Sequence, residues 1–148
     1  MDTQPPLFYL TEASKQIIWL VNQFNLTFGN NQRHLAAYTF DAGPNAFLFV
    51  EDHALGELLY VLYRLYFEQE HEMSAFARQC VLASDSSQHL IDLTRLSSSA
   101  ERKQQLDEFC HVQRQYTATA AAVVKRIIHS KVGDEPRVYD NMDKFSLL

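Results

Sequence analysis

Glycine is scarce in this sequence, and its four residues, Gly29, Gly43, Gly56 and Gly133, each stand alone. No loop here can therefore wrap a phosphate chain through successive backbone amides. Cysteine is scarcer still. Cys80 and Cys110 are too few and too far apart for a disulfide framework or a thiolate metal site, and both read as buried or half-buried free thiols. Basic residues are outnumbered, 13 to 18, giving a net charge of -5 and excluding the concentrated basic surface that nucleic acid requires. A small anionic ligand is not excluded, because a site can be locally positive on an acidic protein. Long apolar runs are missing too: the longest, Leu58 to Tyr63, falls far short of the roughly 20 residues that span a bilayer. The start, Met1-Asp2-Thr3-Gln4-Pro5-Pro6, has neither the basic residues nor the apolar stretch of a secretory signal. The final Phe145-Ser146-Leu147-Leu148 is not a peroxisomal address. These absences predict a soluble, cytoplasmic protein with no nucleic-acid and no membrane partner.

What is present suits one globular domain: 148 residues, 47% of them hydrophobic, enough to bury a core. Leu10, Ile17, Leu20, Val21 and Phe24 recur at helical spacing, with Lys15, Gln16, Asn22 and Gln23 on the other side. This predicts a helix over Leu7 to Phe28, entered through Pro5-Pro6 and closed by Gly29-Asn30-Asn31, residues that tolerate left-handed backbone. His34 to Phe40 reads as a strand, Asp41-Ala42-Gly43-Pro44-Asn45 as turn chemistry, and Ala46 to Val50 as a second strand. Such a pair must belong to a sheet, because an isolated hairpin is marginal in water. Helical spacing returns from Ala54 to about Leu82, where Tyr60, Tyr63, Tyr66 and Phe67 read as core and rim. Ser84 to Ser99 reads as a polar loop or broken helix, and Glu101 to Tyr116 as a helix. Ala121 to Val132 fits strand or helix, since periodicity alone does not separate them. Lys125, Arg126 and Lys131 read as solvated sheet-edge charges, and Arg33 and His34 show no evident role. The expected organisation is one domain over residues 1–133 and a charged tail over 134–148.

The densest chemical signal is Tyr38-Thr39-Phe40-Asp41-Ala42-Gly43-Pro44-Asn45-Ala46. An acid directly after an apolar strand, followed by a small residue, Gly and Pro, presents a carboxylate at a strand end that a ligand can approach. On pattern alone, Asp41 better suits a hairpin in which it caps its own turn, because Asp and Gly-Pro are common in turns.

The same nine residues resemble the signature of mevalonate diphosphate decarboxylases. Asp2-Thr3, Pro5-Pro6, Tyr9-Leu10, Ile17-Ile18, Val21 and Phe24-Asn25 resemble the helix that precedes that signature in the family. Val124-Lys125, Ile127-Ile128 and Val132-Gly133 form a weaker match to the family's last strand, while residues 51–120 match sparsely. The resemblance implies the carboxy-terminal half of a GHMP-kinase-superfamily enzyme, with two α/β lobes and an active site in the cleft between them. It implies the ATP- and Mg²⁺-dependent conversion of mevalonate 5-diphosphate to isopentenyl diphosphate, a step toward isoprenoids and sterols. Asp41 takes the catalytic role, and Ala42, Gly43, Pro44 and Asn45 form a substrate-side loop, with Asn45 bonding its own turn rather than the substrate. The family's phosphate loop and its diphosphate-gripping lysine and arginine lie in the amino-terminal lobe, which becomes a required partner; a homodimer stays open. Met1 directly precedes the first match, as if the chain began mid-protein, so this chain alone is expected to be inactive.

Two other readings compete. One is a non-catalytic remnant or interaction domain. The other is a di-iron helical bundle, because Glu68-Gln69-Glu70-His71 and Glu108-Phe109-Cys110-His111 each contain Glu-x-x-His, and Glu12 and Glu57 could complete a site. A bundle would have to absorb Gly43-Pro44 within a helix, which is costly. No metal site is therefore expected. The predicted fold is α+β: a small, mostly antiparallel sheet around residues 34–50 and 121–132, covered by helices, like the carboxy-terminal lobe of GHMP kinases.

Overall fold

The computed structural model describes residues 10–30, 33–41, 45–69, 72–73, 75–76, 81–83, 100–117 and 124–130. Helix α1 runs from Glu12 to Phe28. It starts later than its apolar spacing suggested, because the extended Thr11 caps it: the Thr11 hydroxyl accepts from the Ser14 amide at 3.1 Å. Residues 1–9, including Pro5 and Pro6, lie outside the described residues. Ile17, Leu20, Val21 and Phe24 form the buried face, the i, i+3, i+4, i+7 stripe of an amphipathic helix. Gly29 ends the helix in extended backbone (φ −79°, ψ −173°), not in the left-handed conformation expected of it. Its need for glycine is steric, since a Cβ there would sit 2.5 Å from Asn25 O and 2.9 Å from Arg33 O.

Strands β1 (Ala36–Phe40) and β2 (Ala46–Val50) form an antiparallel hairpin, with Ala36 opposite Val50 and Phe40 opposite Ala46. The Glu51 amide donates to Leu35 O at 3.0 Å and continues the ladder one step beyond the strands. Helix α2 (Asp52–Leu62) follows directly and passes into a π-helical turn, Tyr63–Phe67, closed by a 2.9 Å bond from the Glu68 amide to Tyr63 O. Leu58 to Leu62 are consecutively buried, so α2 is enclosed rather than amphipathic. Tyr60, Tyr63, Tyr66 and Phe67 are buried as expected, and the Tyr63 and Phe67 rings both stack near Phe76.

The helix expected to reach Leu82 does not do so. Val81–Ala83 is strand β3, paired in parallel with β4, Ile127–His129. Its partner lies so far along the chain that no local pattern announces the pairing, and a short apolar run leaves helix and strand undecided. The ambiguous segment at 121–132 thus contains a strand, but it pairs with β3 in a second sheet rather than joining the hairpin. Helix α3 (Ala100–Arg114) closes the core with Leu106, Phe109 and Cys110. Phe109 packs edge-on against Phe24 at 6.4 Å and tilted against Phe28 at 5.2 Å. The architecture is α+β, with helices against an antiparallel hairpin. Among the described residues, no helix is long and apolar enough to cross a membrane. The serine-rich segment and the charged tail fall outside the described residues, as does Cys80; Cys110 is a buried free thiol.

Candidate active site

Asp41 sits immediately beyond the last paired residues of the hairpin, Phe40 and Ala46, and is exposed. Asn45, also exposed, closes the connection on the β2 side, while Ala42, Gly43 and Pro44 lie outside the described residues. The ladder below Asp41 decides how firmly it is held. One face of the hairpin is built into the core: Ala36 is buried, and Phe40, Leu48 and Val50 pack against the helices. The other face, Ala37, Thr39, Phe47 and Phe49, is exposed.

The base of the hairpin is tied down by two side chains. Asn25, in the last turns of α1, accepts from the Leu35 amide at 2.8 Å and the Ala36 amide at 3.0 Å through Oδ1. Its Nδ2 donates to Ala36 O at 2.7 Å. Three of the four hydrogen-bonding positions of one amide are thus spent on the entry to β1, at a point where a free backbone donor would be buried unpaired. Arg33 grips Glu51 across the hairpin's open end, with Nε–Oε1 at 2.7 Å and a second contact to Oε2 at 2.6 Å. That hydrogen bond and the carboxylate's charge raise the Arg33 pKa. Arg33, which showed no evident role in the sequence, therefore clamps the strand ends. Asn25 emerged only as part of a family match, and its role was not foreseen, because its partners lie beyond the turn at Gly29.

A second polar cluster holds α3 to α2. Arg102 donates two parallel hydrogen bonds to Glu57, both 2.7 Å, while its guanidinium lies over the Phe28 ring at 4.5 Å. Tyr60 donates to Asp107 at 2.5 Å, and burial followed by that bond raises its pKa. Glu68 pairs with Arg64 at 2.9 Å and with Arg114. Glu57 and Glu68, two carboxylates of the di-iron reading, are thus taken up by arginines, and Glu12 pairs with Lys15. Among the described residues no three His, Cys, Asp or Glu side chains gather in a metal-holding group. The strands themselves rule out an all-helical bundle. Lys125 and Arg126 are exposed just ahead of β4.

The surface cavities include one of about 250 Å³ at the hairpin's base and one of about 340 Å³ beside Trp19 and Tyr116. Neither is lined by Asp41, which stands at the other end of the hairpin. The carboxylate is displayed at the end of a hairpin that Asn25 and the core hold in place.

The domain model described as the mevalonate 5-diphosphate decarboxylase C-terminal domain matches residues 1–139. A diphosphomevalonate decarboxylase from Danio rerio is 37% identical over 91 residues, covering 62% of this chain and 22% of the relative. One from Debaryomyces hansenii is 42% identical over 66 residues, 45% of this chain and 16% of the relative. One from Ganoderma lucidum is 27% identical over 138 residues, 93% of this chain and 30% of the relative. The chain thus spans less than a third of the length of each of these relatives. No solved structure matches it significantly. With nearly the whole chain inside the matched domain, it belongs to the mevalonate 5-diphosphate decarboxylase C-terminal domain family.

Proposed function

We propose that this chain is the catalytic-aspartate lobe of a cytoplasmic diphosphomevalonate decarboxylase, which turns mevalonate 5-diphosphate into isopentenyl diphosphate at the expense of ATP. The observation that carries the reading is the placement of Asp41: an exposed carboxylate one residue past the last rung of a ladder anchored by Asn25 and the core. The substrate's tertiary hydroxyl is a poor nucleophile unless its proton is accepted or its oxygen is held in line. The Asp41 carboxylate performs that task. It also faces the positive charge that builds at the same carbon as the leaving oxygen departs, and stabilises it electrostatically. One rigidly held carboxylate serves both moments. Ala42, Gly43, Pro44 and Asn45 shape the loop beside the substrate.

ATP and Mg²⁺ do not fit this chain's described residues, which offer neither a glycine-rich loop nor a grouped set of metal ligands. They belong to the amino-terminal lobe, the partner this reading requires. The test is an assay of the two-lobed polypeptide for carbon dioxide and inorganic phosphate released together from mevalonate 5-diphosphate and ATP. Equal amounts of both are expected. Phosphate without carbon dioxide, or neither, contradicts the reading.

A further inference from the structure

Fastening one end of a two-stranded ribbon does not fix the other. Asn25 and the Arg33–Glu51 pair hold the hairpin at Leu35, Ala36 and Glu51. Asp41 lies further along β1, roughly 16 Å from Ala36 at ~3.3 Å per residue. A two-stranded hairpin twists more strongly than a wider sheet and is marginal without packing, so its loop end needs a hold of its own.

The last two rungs are Thr39 opposite Phe47 and Phe40 opposite Ala46. Thr39, Phe47 and Ala46 are exposed, and so are Asp41 and Asn45 just beyond them. Phe40 is the half-buried member of the four, and its ring packs against the buried core. Tyr38, two residues back on the same face of the strand, lies edge-on to that ring, with centroids 6.2 Å apart. The peptide that ends in Asp41 begins at Phe40, so the seat of the ring sets the direction in which the chain leaves the ladder. A broad ring in close-packed surroundings resists sliding, whereas Ala46 across the rung offers a single methyl group.

Placement matters in proportion to what is asked of Asp41. Accepting a proton and facing a developing charge both need the carboxylate in line, and a shift of about 1 Å can cost on the order of 100-fold in rate. Substrate binding is less sensitive, because a contact made in the transition state shows in kcat rather than in KM. We infer that Phe40 is a positioning residue for the reaction, holding the Asp41 carboxylate in place through the seat of its ring on the core. This rests on reading Asp41 as the catalytic carboxylate. Asn25 and Arg33 hold the base of the hairpin, and Phe40 holds the end where the chemistry is.

A double-variant cycle in the two-lobed enzyme tests this, with rates taken per folded molecule well below the unfolding midpoint. Phe40→Ala empties the seat, Phe40→Leu refills most of it, and Asp41→Asn removes the charge. Phe40→Ala should lower kcat by about tenfold or more with KM for mevalonate 5-diphosphate within about twofold of the parent, and Phe40→Leu should recover most of the loss. In the Asp41→Asn background the same Phe40→Ala change should cost about twofold or less, since the charge it misplaces is already gone. Leu106→Ala cuts the buried core on α3 instead and should leave kcat unchanged. A Phe40→Ala enzyme with the parent's kcat overturns the inference. So does a loss of equal size with and without the Asp41 carboxylate, or an equal loss from Leu106→Ala. Should Phe40→Ala fail to fold, Phe40→Val takes its place in the cycle and is read by the same criteria. A parent enzyme that releases no carbon dioxide, or an Asp41→Asn variant of normal kcat, sinks the reading of Asp41 and this inference with it. An active parent whose kcat ignores Phe40 sinks the inference alone.

Discussion

Asn25 and Ala36 exchange two hydrogen bonds across the turn that joins α1 to the hairpin, Nδ2 to O at 2.7 Å and N to Oδ1 at 3.0 Å. The side chain stands in for a neighbouring strand at the start of the β1 edge that faces away from β2. A single amide thus couples the helix that fills the core to the strand that carries Asp41.

Removing that amide leaves the backbone groups of buried Leu35 and Ala36 without partners. Asn25→Ala should destabilise the chain by about 2–3 kcal/mol, the sum of several lost hydrogen bonds near a buried strand end. Asn25→Asp keeps the acceptor but sets a second oxygen against Ala36 O, where Nδ2 had donated, and should cost a comparable amount. Urea titration monitored by circular dichroism checks both. An alanine variant as stable as the parent would show that water replaces the amide without penalty.

The Glu57–Arg102 pair makes a second, independent test of the packing. Both side chains are mostly buried, at 17% and 31% exposure, and the guanidinium also covers Phe28. Glu57→Ala strands the guanidinium and Arg102→Met strands the more buried carboxylate, so each should cost about 2 kcal/mol or more, although the methionine still covers the Phe28 ring. The double variant leaves neither charge alone and should cost less than the two single losses added together. Losses that add fully in thermal melts would show that the pair contributes nothing to stability.

Alkaline pH should loosen the fold. Burial pushes the Tyr66 hydroxyl from 10.0 up to about 12. The Cys110 thiol goes from 9.0 to about 12, again chiefly through burial. In the folded chain both groups therefore keep protons that the unfolded chain gives up. Stability from these groups is complete below the unfolded values and is lost as pH rises from about 9 toward 12. Denaturation midpoints across that range should fall. Among the described residues the Tyr66 hydroxyl finds no hydrogen-bond partner, so Tyr66→Phe should be neutral or stabilising by up to ~1 kcal/mol and should flatten part of the slope. A flat profile in the parent chain would contradict this.

Much of the site was legible because its signals are local. A carboxylate, a small residue, Gly-Pro and Asn between two apolar runs announce a hairpin loop, and the strands lie where those runs do. Helix α1 was legible from its apolar stripe, although its start was misplaced by reading spacing ahead of the Thr11 cap. The illegible parts depend on partners far along the chain. Val81–Ala83 looks like the tail of a helix until Ile127–His129 lies beside it, and Arg33 looks idle until the hairpin brings Glu51 back to it. The exposed Phe47 and Phe49 read simply as strand residues, because alternation is invisible in a run where both faces are apolar.

The central claim is that Asp41 works in the transition state, and Asp41→Asn in the two-lobed enzyme tests it most directly by keeping the shape and removing the charge. If the carboxylate handles the hydroxyl proton and the developing cation, kcat should fall by about 100-fold or more while KM for the diphosphate substrate stays nearly constant. The variant should stay folded, with stability lowered by no more than roughly 1–2 kcal/mol, because a single exposed side chain at a strand end changes. A near-normal kcat, or a variant that unfolds, would make Asp41 a turn residue and contradict the account.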